Sequence, residues 1–288
     1  MIYNNLDNLI GNTPILKYEG VYVKLEGFNL GGSIKDRISY YILKNYIDNG
    51  LLKKGDTIVE PTSGNTGIGL SMVGAIMGIN VVITMPDTMT KERINAIKAY
   101  GAKIILTDGK LGMKGAIDKA NELKDKYGYI LIDQFNNPLN KEAHKQTALE
   151  IINEFTHIDY FVASIGTGGT ISGIALELKK KYPNIKIVGI EPEESPIITK
   201  GISGSHGIQG IGAGFIPNNL DLDLIDEVIT IKTKDALNKM DELRKKGLFV
   251  GISSAANILG ASKYLDKDNI VVTISPDSGL KYLSLIND

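Results

Sequence analysis

Lys35 is the residue in this sequence whose placement first suggests chemistry. It stands in Lys24-Leu-Glu-Gly-Phe-Asn-Leu-Gly-Gly-Ser-Ile-Lys-Asp-Arg37. Gly31 and Gly32 give a flexible approach, Ser33 is a good helix N-cap, Asp36 completes a Ser-x-x-Asp capping pattern, and an amphipathic run continues through Tyr46. That pattern places Lys35 in the first turn of a helix. A cation is misfit there by roughly 0.3–1 kcal/mol, because the exposed N–H groups already make that end positive. The same field favours the neutral amine, which is the form that attacks carbonyl carbon. A surface lysine early in a helix is the plain alternative.

Two further stretches could hold anions. Ser164-Ile-Gly-Thr-Gly-Gly-Thr170 follows a strand and opens a helix. Its glycines let the backbone approach an oxyanion, the helix start favours negative charge, and Thr167 and Thr170 add hydroxyls. It lacks the Gly-Lys-Ser/Thr ending of a nucleoside triphosphate loop and the full Gly-x-Gly-x-x-Gly spacing of a dinucleotide site, so it reads equally as a phosphate cup or a tight turn. Glu60-Pro-Thr-Ser-Gly-Asn-Thr-Gly67 has the same placement earlier in the chain. Its hydroxyls, the Asn65 amide and the helix-start N–H groups suit a carboxylate, although Ser, Thr and Asn are also simply good caps. Three weaker candidates are Gln134-Phe-Asn-Asn137, Gly210-Ile-Gly-Ala-Gly-Phe-Ile-Pro217 and Gly251-Ile-Ser-Ser254. A polar hinge, a plain turn and a helix cap are their respective alternatives.

The elements that must position these residues follow an alternating rhythm. An antiparallel hairpin is predicted around Tyr18-Glu19-Gly20. Strands are then predicted at 57–60, 81–85, 104–106 and 129–132, alternating with helices at 65–77, 91–100 and 114–126. The turn-rich stretch 133–140 breaks the pattern and is the expected crossing between lobes, followed by a helix from about 141 to 155. A second set follows, with strands at 160–164, 185–191, 228–231, 249–252 and 270–274, helices at 170–181, 235–246 and 255–264, and a last short helix. Strands alternating with helices imply mostly parallel sheets covered on both faces, with ligands at the carboxyl ends of the strands. The glycine-rich segment 195–217 is too long for an ordinary connection, and its isoleucines argue for a functional loop over disorder.

Composition narrows the chemistry. Among 288 residues, 32 Lys and Arg balance 33 Asp and Glu for a net charge of −1, which favours a small-molecule ligand over nucleic acid or an anionic membrane. The absence of cysteine removes disulfides, thiolate metal sites and a cysteine nucleophile, and three scattered histidines leave no expected metal site. With neither a leader-like amino terminus nor a membrane-length apolar run, a soluble cytoplasmic protein is expected.

Taken together and in order, Lys24 to Arg37, Thr62 to Gly67, Met85-Pro86 with Glu92-Arg93, Gln134 to Asn140 with Ala143-His144, Gly166 to Thr170, Gln209 to Pro217 and Gly251 to Ser254 resemble the cysteine synthase (O-acetylserine sulfhydrylase) family nearly end to end. The resemblance implies a fold-type-II pyridoxal 5′-phosphate enzyme, tryptophan-synthase-β-like. Its two α/β lobes would each carry a mostly parallel sheet flanked by helices, with the active site in the cleft between them. The smaller, mobile lobe would be 34–139, and the larger 11–33 with 140–288. Lys35 would hold the cofactor as a Schiff base and serve as general base, and Asn65 would bond the ring hydroxyl. Gly166, Thr167, Gly168, Gly169 and Thr170 would hold the phosphate, and Ser253 would face the ring nitrogen. Thr62, Ser63, Gly64, Thr66, Gln134, Gly210 and Ala213 would contact the substrate. The reaction implied is β-replacement of O-acetyl-L-serine by sulfide, giving L-cysteine and acetate. A homodimer is implied, and the carboxyl tail of serine acetyltransferase is an open partner.

Leu30, Ala148, Leu149 and Ala255 depart from the family pattern, but none is a proposed catalytic group. Cystathionine β-synthase and a cysteine β-lyase releasing hydrogen sulfide are the rival activities, and a regulatory partner of serine acetyltransferase is the rival from another class. Gly214, where the first rival is expected to carry an acidic residue, leans toward the sulfhydrylase.

Overall fold

The computed structural model describes residues 2–285. Two compact units emerge: residues up to Ile10 with Lys35–Leu139, and Gly11–Ile34 with the residues from Asn140 onward. In chain order, β1 (Ile15–Tyr18) and β2 (Val21–Leu25) precede α1 (Lys35–Asp48). Next come β3 (Thr57–Pro61), α2 (Asn65–Met77), β4 (Asn80–Pro86), α3 (Lys91–Ala99), β5 (Lys103–Thr107), α4 (Gly112–Tyr127) and β6 (Ile130–Leu131). Short α5 (Leu139–Glu142) leads into α6 (His144–Ile152), β7 (Tyr160–Ser164), α7 (Gly169–Lys181), β8 (Lys186–Pro192) and α8 (Ile197–Lys200). The described chain ends with β9 (Glu227–Ile231), α9 (Thr233–Lys245), α10 (Ile252–Ala261), β10 (Val271–Ser275) and a 3-10 segment, Gly279–Leu285.

The first unit carries a parallel sheet in the order β5-β4-β3-β6. The chain steps from β3 to β4 to β5 and then returns to the other side of β3, so the strand order reverses there. Such a reversal opens a crevice at the carboxyl ends of the strands. Val59, Val82, Ala120 and Leu123 pack α4 onto one face. On the other face, α2 is buried along most of its length, which explains a sequence with no charged residue in 13 positions.

The second unit has the order β1-β2-β10-β7-β8-β9. Only the β1–β2 pair is antiparallel. Here the reversal falls at β7, with β8 and β9 on one side and β10 on the other. Two apolar cores cover its faces: Val162, Ile190, Ile252 and Val271 lie in one, and Phe161, Ile174, Ile187 and Ile274 in the other. Lys24 is structural. Its ammonium is buried against Glu150 of α6 at 2.8 Å and also donates to the Thr13 carbonyl, fastening the hairpin to the unit.

Some boundaries differ from expectation. The stretch 249–252 forms no strand: Val250 makes one isolated bridge to Ser278, and Ile252 opens α10. The helix expected over 141–155 is broken into α5 and α6. Ser33 stands two residues before α1 and bridges Asp277, so it does not occupy the position next to the helix. The segment 195–217 is an ordered loop pinned into the core by Ile208 and Ile211.

Candidate active site

In the first unit, two strand ends at the reversal point supply the polar side chains. β3 runs out through Glu60 and Pro61 into Thr62–Gly64, and α2 starts at Asn65 with Gly64 as its N-cap. No side chain caps that helix. Thr62 accepts from the Gly64 N–H at 3.3 Å, and Arg93 of α3 donates to the Ser63 carbonyl at 3.1 Å, which fixes the loop. A Cβ at Gly64 would meet nothing within 4 Å, so the loop borders open space. The helix start and the hydroxyl-bearing loop before it together form a cup suited to a carboxylate.

Neighbouring β6 ends at Leu131, and the turn after it carries Gln134. Asp133 has a left-handed backbone, φ 55°, a strained conformation for a residue with a side chain. The turn brings Gln134 against Thr66: the Thr66 hydroxyl donates to Gln134 Oε1 at 2.7 Å, and both residues are buried. Beneath them lies Glu60, also buried. It accepts from the Asp133 N–H at 2.8 Å and the Gln134 N–H at 3.4 Å, and burial pushes its carboxyl up to about 8.

Lys35 is the first residue of α1. Loss of solvent around its amine pushes its pKa down to about 8, so a substantial neutral fraction exists near neutral pH. Its backbone is held against the cup's own helix. A Cβ at Gly69 of α2 would lie 3.0 Å from the Lys35 carbonyl oxygen and 2.7 Å from Ser39 Oγ, a closeness only glycine permits. The sequence offered a signal for this contact, a run of small residues in α2, without naming its partner.

In the second unit the loop after β7 is built differently. The Ser164 N–H donates to Asn257 Oδ1 at 2.8 Å, and Asn257 in turn donates to the Ile274 carbonyl at 2.7 Å, tying the ends of β7 and β10. Gly166, Gly168 and Gly169 are each packed against another segment. A Cβ would come within 2.4 Å of the Gly210 carbonyl oxygen, 2.6 Å of the Leu220 nitrogen and 2.2 Å of Asn140 Oδ1, respectively. Gly168 also has φ +80°, a conformation side chains disfavour. α7 begins at Gly169 without a side-chain cap. Asn140 donates to Thr167 Oγ1 at 3.1 Å, and fully buried His144 pairs with Thr170 Oγ1 at 3.1 Å and with Thr147 at 3.3 Å. These contacts orient the loop's two hydroxyls. Asn140 and His144 were visible in the sequence only as part of a resemblance, with no role attached.

Of the remaining expected residues, Ser253 is the second residue of α10 and is buried. Its hydroxyl has no hydrogen-bond partner among the described residues. Gly210 and Ala213 lie in a loop that docks on Ile165 through the Gly212 N–H at 2.9 Å. Ala148 and Ala255, two of the departures, are fully buried in the second unit's cores.

A lysine of lowered pKa and a loop suited to a carboxylate in one unit, and a glycine-rich loop at a helix start in the other, are the kinds of group that an enzyme of amino-acid chemistry requires. The chain belongs to the family described as pyridoxal-phosphate dependent enzymes, whose model matches residues 6–277. It is 48% identical over 296 residues to the cysteine synthase of Staphylococcus aureus, covering 98% of this chain and 96% of that one. Among solved structures, cysteine synthase from Entamoeba histolytica matches with a TM-score of 0.94 at 42% identity, covering 100% of this chain and 92% of that one. A hydrogen sulfide-producing enzyme from Fusobacterium nucleatum matches with a TM-score of 0.93 at 43% identity, covering 98% and 100%.

The residues present fit the family's cofactor. The loop Gly166–Thr170 opens a helix that has no side-chain cap and contains no acidic residue to repel a phosphate, and the amine of Lys35 is the nucleophile an aldehyde requires.

Proposed function

We propose that this chain is a cysteine synthase that converts O-acetyl-L-serine and sulfide into L-cysteine and acetate. The observation that carries the reading is the first unit's arrangement: a lysine whose amine is pushed toward neutrality begins the helix packed, through Gly69, on the helix that opens the carboxylate cup. The near full-length likeness to cysteine synthases supports the choice of substrate.

Pyridoxal phosphate, when bound, supplies the electron sink that loosens the Cα–H bond and then the bond from Cβ to acetate. The chain's own groups do the rest. Lys35 would hold the cofactor through its amine, and the same Nζ would be the base that takes the substrate Cα proton and returns it after sulfide has bonded to Cβ. Gly166, Thr167, Gly168, Gly169 and Thr170 would hold the phosphate by backbone N–H groups and hydroxyls, and Asn65 would bond the ring hydroxyl. Ser253 would face the ring nitrogen, where a neutral hydroxyl leaves that nitrogen largely unprotonated and favours prompt loss of acetate. Thr62, Ser63, Gly64, Thr66 and Gln134 would hold the substrate carboxylate, with Gly210 and Ala213 near the rest of the substrate.

Purified holoenzyme incubated with O-acetylserine and sulfide is expected to form cysteine. Turnover only with serine and homocysteine, or only sulfide release from cysteine alone, would replace this reading with one of its rivals. The likeness to the Fusobacterium enzyme makes the last arm necessary. A homodimer, and capture of a serine acetyltransferase tail, belong to the same reading; light scattering and titration of the tail peptide against cofactor fluorescence test them. Among the described residues no helix is long and apolar enough to cross a membrane.

A further inference from the structure

Arg93 has no task in the mechanism above, yet it holds the backbone of the carboxylate cup. Its guanidinium, carried by α3, donates to the Ser63 carbonyl at 3.1 Å. The other end of the same peptide unit is also held, because the Gly64 N–H donates to Thr62 Oγ1 at 3.3 Å. One peptide group is therefore clamped at both ends by side chains. Both clamps are braced by packing around Gly67 of α2, where a Cβ would lie 3.0 Å from Ile97 Cδ1 and 3.2 Å from the Thr62 methyl. Ile97 is fully buried and stands one helical turn after Arg93, so its contact sets how far Arg93 reaches. The methyl contact holds the Thr62 rotamer that aims its hydroxyl at Gly64.

We propose that Arg93 is a positioning residue for the substrate carboxylate. By holding the Ser63 carbonyl toward α3 it prevents the Ser63–Gly64 peptide from turning over, and so keeps the Thr62 proton available to the substrate. The proposal rests on the reading that this cup holds the substrate carboxylate.

Donor counting shows what the clamp protects. As the peptide stands, Thr62 Oγ1 accepts from Gly64, and the single proton of its hydroxyl can go to a carboxylate, which only accepts. A planar peptide turns over as one piece. The carbonyl would then take the place of the N–H, oxygen facing Thr62 Oγ1, and only the Thr62 proton could satisfy that pair. The substrate carboxylate would lose a donor. This turnover is open to the chain because residue 64 is glycine. It carries φ of Gly64 from −129° to about +51° while ψ stays at −152°, a combination that is essentially reserved for glycine. Nothing lies within 4 Å of a Cβ at that position, so packing does not oppose the motion. The hydrogen bond from Arg93 supplies the restraint that a side chain at 64 would otherwise give.

The test measures binding of L-alanine, which presents an α-carboxylate without a leaving group, from the absorbance of the holoenzyme's cofactor. Arg93→Met keeps an apolar stem against α2 but removes the donor, and is expected to weaken binding about ten-fold. Gly64→Ala alone should weaken it a few-fold at most. In the Arg93→Met background the sign reverses: Gly64→Ala should restore affinity about five-fold, because a Cβ at 64 excludes the turned-over peptide. Loss of the Arg93 charge, or slack packing of α3, gives no such recovery. Unchanged binding in Arg93→Met, or losses that simply add in the double variant, would overturn the proposal. The same cycle with Arg93→Gln decides the matter if the methionine variant fails to fold. Thr66→Val reports on the underlying reading: unchanged L-alanine affinity there removes the carboxylate from this cup and overturns both, whereas weakened affinity without the sign reversal overturns only the role of Arg93.

Discussion

The two units place a loop at the same topological point, after the strand where the sheet order reverses and before a helix with no side-chain cap. They build it in opposite ways. The loop after β7 is made of backbone: three glycines are pressed against the Gly210 carbonyl, Leu220 and Asn140, and its hydroxyls are held by Asn140 and His144. The loop after β3 is made of side chains: Gly64 borders open space, and Thr66 just beyond it donates to Gln134, whose turn is held by Glu60. Glycines packed this closely against neighbouring segments cannot rearrange cheaply, which suits a loop holding a group that stays bound. Hydroxyls and an amide can reverse their hydrogen bonds without moving the chain, which suits a ligand that arrives and leaves each cycle.

Substitutions can break or sharpen this contrast. The largest effect should come from neither loop: Lys35→Ala should reduce turnover by about a thousand-fold or more and remove the visible absorbance of lysine-bound cofactor. Stopped assays and an absorbance spectrum check this, and a variant that keeps both would end the assignment. Next, Gly169→Ala drives a Cβ to 2.2 Å from buried Asn140 and should weaken cofactor affinity about ten- to a hundred-fold, measured by reconstituting apoenzyme. Thr66→Val should act on the other loop alone, raising KM for O-acetylserine about ten-fold with cofactor affinity retained. Gly64→Ala, with φ −129° and no neighbour within 4 Å, should be the mildest, with KM rising a few-fold at most and thermal stability unchanged.

Stability offers an independent probe of the side-chain loop. Glu60 has its folded pKa raised from 4.5 to about 8, so the folded state binds the extra proton in that window. Wild-type stability therefore falls as pH rises from about 4.5 through 8 and is flat with respect to this group outside it. Glu60→Gln should remove that decline, giving a thermal unfolding midpoint that exceeds the wild type's by a margin growing toward pH 8. A constant margin would show that Glu60 is not held protonated.

Much of this architecture was readable from residue order. Alternation of apolar runs with amphipathic stretches specified the β/α rhythm, and the span of α2 matches the expected 65–77. Both loops were identifiable because glycine and hydroxyl residues cluster between a strand and a helix. Local signals failed where partners decide. The run at 249–252 has strand-like residues, yet Gly251 must pass within contact of Asp277 and Tyr282, and Ile252 turns into α10 instead. The helix over 141–155 breaks where the Lys141 carbonyl and the His144 side chain close on Gly173 of α7. Ser33 had the local chemistry of a cap, but its backbone is taken by Asp277.

The sequence alone determined the elements, the glycine and hydroxyl loops and the presence of a lysine at a helix start, because each depends on residues within a few positions of one another. Only the tertiary structure decided that β6 returns beside β3, bringing Gln134 to Thr66 and to Glu60 across more than 60 residues. The same holds for Gly69 meeting the Lys35 carbonyl and for Asn140 and His144 meeting Thr167 and Thr170. The physical reason is that burial and donor–acceptor matching are properties of neighbours in space. Whether Lys35 loses its proton, or Glu60 keeps one, depends on the solvent that the folded chain excludes.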